Sequence, residues 1–218
     1  MQKLSFENIK AVIWDWNGTL LNDLDICIFS MNQILERLNL PLLTVEKYKS
    51  IFTFPVKEYY KAAGIDFGIH NWDVMAHEFI ANYRRTLPQA TLHEGVTRVL
   101  SFFKEKQRRQ FILSAMQQDF LMESVSAMNI PGYFDQIVGL NDHYAHTKEE
   151  NAILLVEETG LPKDSILMIG DTLHDLEVAE AAGIQCILVA AGHQSKERLE
   201  SSGALVCRDL VEIKSIFS

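Results

Sequence analysis

The sequence predicts an α/β protein: a parallel sheet wound on both faces by helices, with a helical block inserted after the first strand. Three observations predict it. From His93 to the end, short apolar runs alternate with helical stretches, the pattern of strands that return in parallel through crossover helices. Residues 22 to 88 hold helical periodicity and no convincing strand. Before that block stands the β-favouring run Val12-Ile-Trp14, which belongs with the later strands. The expected organisation is therefore a core of residues 1–21 and 89–218, with a helical cap over 22–88.

The first strand stops at Asp15, and Asn17-Gly18 supplies turn chemistry. Asn22 or Asp23 then caps a helix to about Leu38, whose Leu24, Cys27, Ile28, Met31, Ile34, Leu35 and Leu38 share one face. Thr44 opens a short second helix. Pro55 begins a third, closed by Gly64, and Asn71 or Asp73 starts a longer one that ends before Pro88. In the second half a helix to about Lys106 precedes strand Gln110–Ser114. A helix over 118–128, strand Gln136–Gly139, a helix over 147–159 and strand Ser165–Gly170 follow. Helix 173–182, strand Gln185–Val189, the short strand Ala204–Val206 and a helix from about Asp209 complete the expected order.

The 218 residues are 48% hydrophobic and 22% charged, enough apolar material for a real core. A net charge of −9 without a long basic run argues against nucleic acid or an anionic membrane as partner. Cys27, Cys186 and Cys207 are widely spaced, show no metal spacing, and are expected as buried free thiols. Met1 to Lys10, with Lys3, Glu7 and Lys10, has no apolar core of a signal peptide, and no unbroken apolar run approaches membrane-spanning length. The expectation is a cytoplasmic, reducing setting, and a monomer or homodimer.

Three strand ends carry polar groups: Asp15, Ser114 and Asp171. In a parallel sheet the carboxyl ends share one edge, where open α/β sheets place their ligands. Asp15 with Asp171 makes a hard oxygen site suited to Mg²⁺, which takes one or two carboxylates together with water and a phosphate. In Gly170-Asp-Thr-Leu-His-Asp175, two readings of Asp175 stand: a further acid of the site, or a cap on the next helix. Ser114 likewise reads as a ligand-binding hydroxyl or as a helix cap.

On these residues the chain resembles the haloacid dehalogenase superfamily, in its branch with a helical cap after the first strand of a Rossmann-like core. Four motifs carry the resemblance in order: Asp15-Trp-Asn-Gly-Thr-Leu20, Ser114, Lys148 before Glu149–Glu158, and Gly170-Asp-Thr-Leu-His-Asp175. The resemblance implies Asp15 as nucleophile and Ser114 with the backbone N–H groups from Ala115 onward as holders of phosphoryl oxygens. It implies Lys148 as the cation that offsets their charge, and Asp15, the Asn17 carbonyl, Asp171 and Asp175 as metal ligands. An attacking carboxylate forms an aspartyl-phosphate and so divides hydrolysis into two easier displacements. Both reactants are anionic, which is why Mg²⁺ and Lys148 are needed.

One position departs from the pattern. Phosphatases of the superfamily usually carry Asp two residues after the nucleophile, as the acid that protonates the leaving group; here it is Asn17. Loss of such help costs about 10²–10⁴ in rate. His174, and His143 and His146 before Lys148, are the histidines that could substitute, each also readable as a solvated loop residue.

The segment Thr53–Lys61 resembles the cap segment that faces the active site in phosphoglycolate phosphatase-like members. Lys57 and Arg84 are the candidates to meet an anionic substrate, while Phe52, Phe54, Tyr59 and Tyr60 read as packing residues. The leading expectation is a Mg²⁺-dependent phosphatase of a small phosphorylated metabolite, phosphoglycolate phosphatase-like. Two alternatives stand beside it. One is a phosphate-ester binding or regulatory protein with little turnover, favoured by Asn17. The other is a metal-independent haloacid dehalogenase, disfavoured by the paired acids Asp171 and Asp175.

Overall fold

The computed structural model describes residues 8–140 and 147–217. The expected helices α1 (Leu24–Arg37), α2 (Val45–Ile51), α3 (Val56–Ala62) and α4 (Trp72–Thr86) lie between strands β1 (Ala11–Trp14) and β4 (Arg109–Gln117). Two strands too short for periodicity to register, β2 (Leu21–Asn22) and β3 (Thr91–Leu92), pair antiparallel where the chain enters and leaves this helical block. After α5 (Val96–Glu105) and β4 come α6 (Gln118–Ala127), β5 (Gln136–Leu140), α7 (Lys148–Thr159), β6 (Ile166–Gly170) and α8 (Leu173–Ala182). Strand β7 (Gln185–Val189), the unforeseen five-residue α9 (Lys196–Glu200), β8 (Leu205–Cys207) and α10 (Leu210–Ile216) complete the order.

Six strands form one parallel sheet in the order β5-β4-β1-β6-β7-β8. Strand β1 is central: Ala11 stands opposite Arg109 on one side and Ile166 on the other. The chain fills one half of the sheet through β4 and β5, then crosses to build the other. β1 and its neighbours thus mark the point where strand order reverses, the place where such sheets bind ligands. Alternation along the strands divides the core. Val12, Trp14, Ile112 and Ile169 pack with Leu100 and Phe103 of α5 and Leu121 of α6 on one face. Ala11, Ile13, Leu113 and Met168 pack with Leu155 of α7 and Val178 of α8 on the other. With both faces covered, β1 is apolar throughout, as a central parallel strand must be.

Strand β4 runs past its expected end at Ser114 to Gln117, with a register shift against β5 between Leu113 and Gln117. Gly139 explains the close approach there, since a Cβ at that position would meet the Met116 carbonyl at 2.6 Å. Within the helical block, Met31, Ile34 and Leu35 of α1 are fully buried, and α4 adds Met75 and Tyr83 to the same core. Cys27 and Cys207 are buried free thiols as expected; Cys186 is free but only partly buried. Among the described residues, no helix is long and apolar enough to cross a membrane.

Candidate active site

Asp15 leaves the end of β1 with its backbone N–H bonded to the Ile169 carbonyl at 2.9 Å, so its neighbour β6 fixes where the carboxylate emerges. Its Oδ1 accepts from Lys148 Nζ at 2.5 Å, and the same ammonium donates to Asp175 Oδ1 at 2.6 Å. All three side chains are buried. Lys148, the first residue of α7, is thus a cation aimed at two carboxylates. Thr147 and Glu150 supply the capping box that holds the helix end.

Asp175 caps the next helix and also meets Lys148. Its Oδ2 accepts from the Asp171 and Thr172 N–H groups at 3.1 and 3.0 Å and from the Thr172 hydroxyl at 2.8 Å, capping α8, while Oδ1 holds Lys148. Asp171 is fully buried just past β6; it accepts from the Thr19 hydroxyl at 3.0 Å and from the His193 N–H at 2.6 Å. Gly18 makes this closeness feasible: its φ of 77° suits glycine, and an added Cβ would collide with the Asp171 carboxylate and the His193 ring.

Carboxylate oxygens of Asp15, Asp171 and Asp175 lie within 4.8 Å of one another. Burial raises the Asp15 carboxyl well above its usual range, and the neighbouring acids add to this against the pull of Lys148. Burial likewise lifts Asp171 to about 6, with Asp175 adding to the rise and His193 opposing it. Asp175 is held low: burial works against its charge, but Lys148 and Thr172 prevail. Two buried carboxylates thus share the Lys148 ammonium while Asp171 stands beside them without it, and an all-oxygen set with more acids than cations fits a hard divalent cation such as Mg²⁺.

The Ser114 hydroxyl lies 3.4 Å from Asn17 Oδ1 and accepts from the Met116 N–H at 3.1 Å. It does not cap α6, whose first turn is capped by the Gln117 side chain instead. Ser114 and Ala115 line a cavity of about 580 Å³ that opens over Asp15, Lys148, Asp171 and Asp175.

The helix-cap role foreseen for Asp23 is not what the structure shows, since its side chain makes no cap bond on α1. It turns instead toward the Asn17–Gly18 turn. Asp23 accepts from the Gly18 N–H at 3.0 Å, Asn17 Nδ2 at 2.9 Å and the Tyr83 hydroxyl at 2.7 Å, and faces His193 Nε2 at 3.2 Å. Asn17 Nδ2 also lies 2.8 Å from the Tyr83 oxygen. Burial works to raise Asp23, but His193 together with hydrogen bonds from Tyr83 and Asn17 holds it at about 2. Burial opposes a charge on His193 too, yet Asp23, with help from Asp171 and Asp15, raises it to about 9. Cys27 lies in the same cluster, its Sγ 3.5 Å from Asp23 Oδ2.

His193 is the residue that sequence reading missed. It lies on an aperiodic loop just past β7, and the one available signal was Gly192-His193-Gln194 following a strand end on the ligand edge. His174 does not reach the cavity; it stacks on Phe54 at 4.4 Å, near Glu149 and Glu177. His143 and His146 fall outside the described residues. Of the two basic candidates, Arg84 lines the cavity and lies over the Phe120 ring at 4.3 Å. Lys57 is not on the wall and sits near the rings of Phe67 and Trp72. Phe52, Phe54, Tyr59 and Tyr60 do line the cavity, so their role is not packing alone.

The family model of the haloacid dehalogenase-like hydrolases matches residues 12–189, from β1 through β7. The chain belongs to this family. A phosphoglycolate phosphatase of Nitrosococcus oceani is 26% identical over 96% of each chain, and one of Chromobacterium violaceum 24% identical over 90% of this chain and 91% of its own. A haloacid dehalogenase-like hydrolase of Streptococcus pneumoniae shares the fold with a TM-score of 0.79, at 17% identity, over 97% of this chain and all of its own. In this haloacid dehalogenase-like hydrolase, Asp15, Lys148, Asp171 and Asp175 are buried together beside the carboxyl ends of β1 and β6.

Proposed function

We propose that this hydrolase is a Mg²⁺-dependent phosphatase of a small phosphorylated metabolite, acting through an aspartyl-phosphate on Asp15. The observation that carries the reading is the buried Asp15–Lys148–Asp175 bridge beside Asp171, at the point where the strand order reverses. Asp15 attacks phosphorus. Lys148 holds the nucleophile in place and offsets phosphoryl charge, while Asp175 orients Lys148 and caps α8. Ser114 and the Ala115 N–H bind phosphoryl oxygens. Asp15, Asp171 and the Asn17 carbonyl are the metal ligands in this reading, with Asp175 the acid beside them. Mg²⁺ held there supplies charge neutralisation for the attack of one anion on another.

Residues 22–88 serve as a cap over the cavity in the same reading, and Arg84 is the better placed of the two basic candidates. The net charge of −9 and three free cysteines suit a cytoplasmic protein without nucleic-acid or membrane partners, working as monomer or homodimer. The relatives named phosphoglycolate phosphatase support the reaction class.

The test is Mg²⁺-dependent phosphate release from a panel of phosphorylated metabolites. Asp15→Asn should abolish release with an unchanged circular dichroism spectrum, and Asp171→Asn should weaken Mg²⁺ binding by calorimetry. Retained turnover in the first, or unchanged metal affinity in the second, would remove the corresponding role. Asn17 favours a second reading, a phosphate-ester binding protein, because its amide already donates toward Asp23 and Tyr83 and has no proton to deliver. Binding without release across the whole panel would select it.

A further inference from the structure

The cavity over Asp15 is built for something other than a small carboxylate. Most of its wall away from the acids is apolar or aromatic: Phe52, Phe54 and Val56 from the α2–α3 region, Phe79 and Ile80 from α4, and Phe120 from α6. The rings form a connected set. Phe52 meets Phe54 edge-on at 5.6 Å and Tyr59 at 5.3 Å, and Phe79 stacks on Tyr83 at 6.0 Å. Apart from Arg84, the basic groups on the wall are already engaged. Lys148 is bound to two carboxylates and His193 faces Asp23. The ring of His77 bonds its own helix at the Asp73 carbonyl, and Arg84 lies over the Phe120 ring. Tyr59 adds a buried hydroxyl with no hydrogen-bond partner among the described residues, a neutral group that can meet a polar atom but not neutralise an anion.

A second observation is independent of the wall. The residue two after the nucleophile is an amide whose N–H groups are spent on Asp23 and Tyr83, so the leaving group receives no proton from it. A substrate matched to this site has a leaving group that departs as an anion of low basicity.

Resting on the phosphatase reading, we infer that the substrate is an aryl phosphate monoester, its ring seated among Phe52, Phe54, Phe79 and Phe120 and its phosphoryl group at Asp15. In the first step an Asp15 oxygen bonds to phosphorus as the P–O bond to the aryl oxygen breaks. The aryloxide leaves with the electron pair and takes a proton from water. In the second step water attacks phosphorus, its proton neutralising the hydroxide left by the first step, the bond to Asp15 breaks, and orthophosphate leaves with the carboxylate restored. The net change is one water added across the aryl P–O bond.

The experiment has a binding arm and a turnover arm. In calorimetry with Mg²⁺ present, phenylphosphonate should bind about 10- to 100-fold more tightly than phosphonoacetate, the gain from burying one ring. Ala76→Trp, which fills the cavity from α4 without leaving a void, should erase that preference while inorganic phosphate binds as before. Equal affinity for the two phosphonates, or a preference that survives the filled cavity, would overturn the inference and leave the phosphatase reading intact. In the turnover arm, phenyl phosphate should exceed both benzyl phosphate, which keeps the ring but leaves as a basic alkoxide, and acetyl phosphate, which leaves easily but has no ring. Acetyl phosphate matching phenyl phosphate in kcat/KM would overturn the role of the ring. No turnover of any ester, with the phenylphosphonate preference intact, would defeat the phosphatase reading while supporting the aromatic site.

Discussion

Asn17→Asp, the change that restores the family's usual acid, should destabilise this protein unless Asp23 is changed with it. Asn17 Nδ2, on a half-buried side chain, lies 2.9 Å from Oδ2 of the buried Asp23. A carboxylate oxygen in that place would put two like charges about 3 Å apart, roughly 5–6 kcal/mol of repulsion at an effective dielectric constant of about 20. The variant avoids this by holding a proton. Keeping a carboxyl of ordinary pKa protonated at pH 7 costs about 4 kcal/mol, the smaller of the two penalties. Nearby His193 offsets part of it, so we expect a loss of about 2–4 kcal/mol. Asp23→Asn in the same chain returns an amide–carboxylate pair with donor and acceptor exchanged. Urea denaturation in EDTA at pH 7 of the wild type, both single variants and the double variant closes the cycle. The coupling energy should be favourable by about 2 kcal/mol or more, well above the additivity error of distant sites. A single Asn17→Asp variant within about 0.5 kcal/mol of wild type, or a coupling near zero, would refute the argument that this network fixes the residue type. In the double variant the new carboxyl should raise alkyl phosphate turnover by about 10²–10⁴, with little change for an aryl ester.

Lys148→Met leaves Asp15 and Asp175 buried without their counter-charge; urea denaturation should show a loss of about 3–5 kcal/mol, and a loss below about 1 would refute the bridge as a structural element. His193, raised to about 9 in the fold, sheds its proton earlier when unfolded, so stability should fall as pH rises from about 6.5 to 9. His193→Asn should flatten that fall in melting curves taken in EDTA, and an unchanged slope would show that another group causes it. Gly18→Ala, strained at φ 77° and driven into the Asp171 carboxylate, should lower both Mg²⁺ affinity and melting temperature; a neutral effect on both would contradict the packing described.

Most elements were legible because each rests on its own periodicity. The apolar stripe from Leu24 to Leu38 and the runs at Val12, Ile166 and Gln185 need no tertiary information. What was not legible was short or relational. Strands β2 and β3 have two residues each, and α9 five, below the length at which any pattern repeats. The extension of β4 beyond Ser114 depends on the close approach of Gly139, a contact between segments distant in sequence. At the site, Asp15, Ser114, Lys148 and Asp171 were visible because their residue types stand at strand ends or in a motif. Asp23 was misread because an acid before a helix is ordinarily a cap. Its actual partners, Asn17, Tyr83 and His193, come from three separate parts of the chain. His193 offered only a position after a strand and no pattern.

The bonds that converge on Asp23 also bear on heredity. The helical block looks exchangeable, since β2 and β3 bring its two ends side by side. Yet Tyr83 of α4 bonds Asp23, and Tyr48 of α2 lies 3.1 Å from His193 Nδ1, so the block helps to set the turn after Asp15. A recombinant that receives residues 24–86 from a relative without tyrosines at positions 48 and 83 would lose these contacts while retaining the Asn17, Asp23 and His193 that they meet. Such chimeras should recover full stability only when these five positions travel together, so they form one unit of inheritance although the chain scatters them from Asn17 to His193.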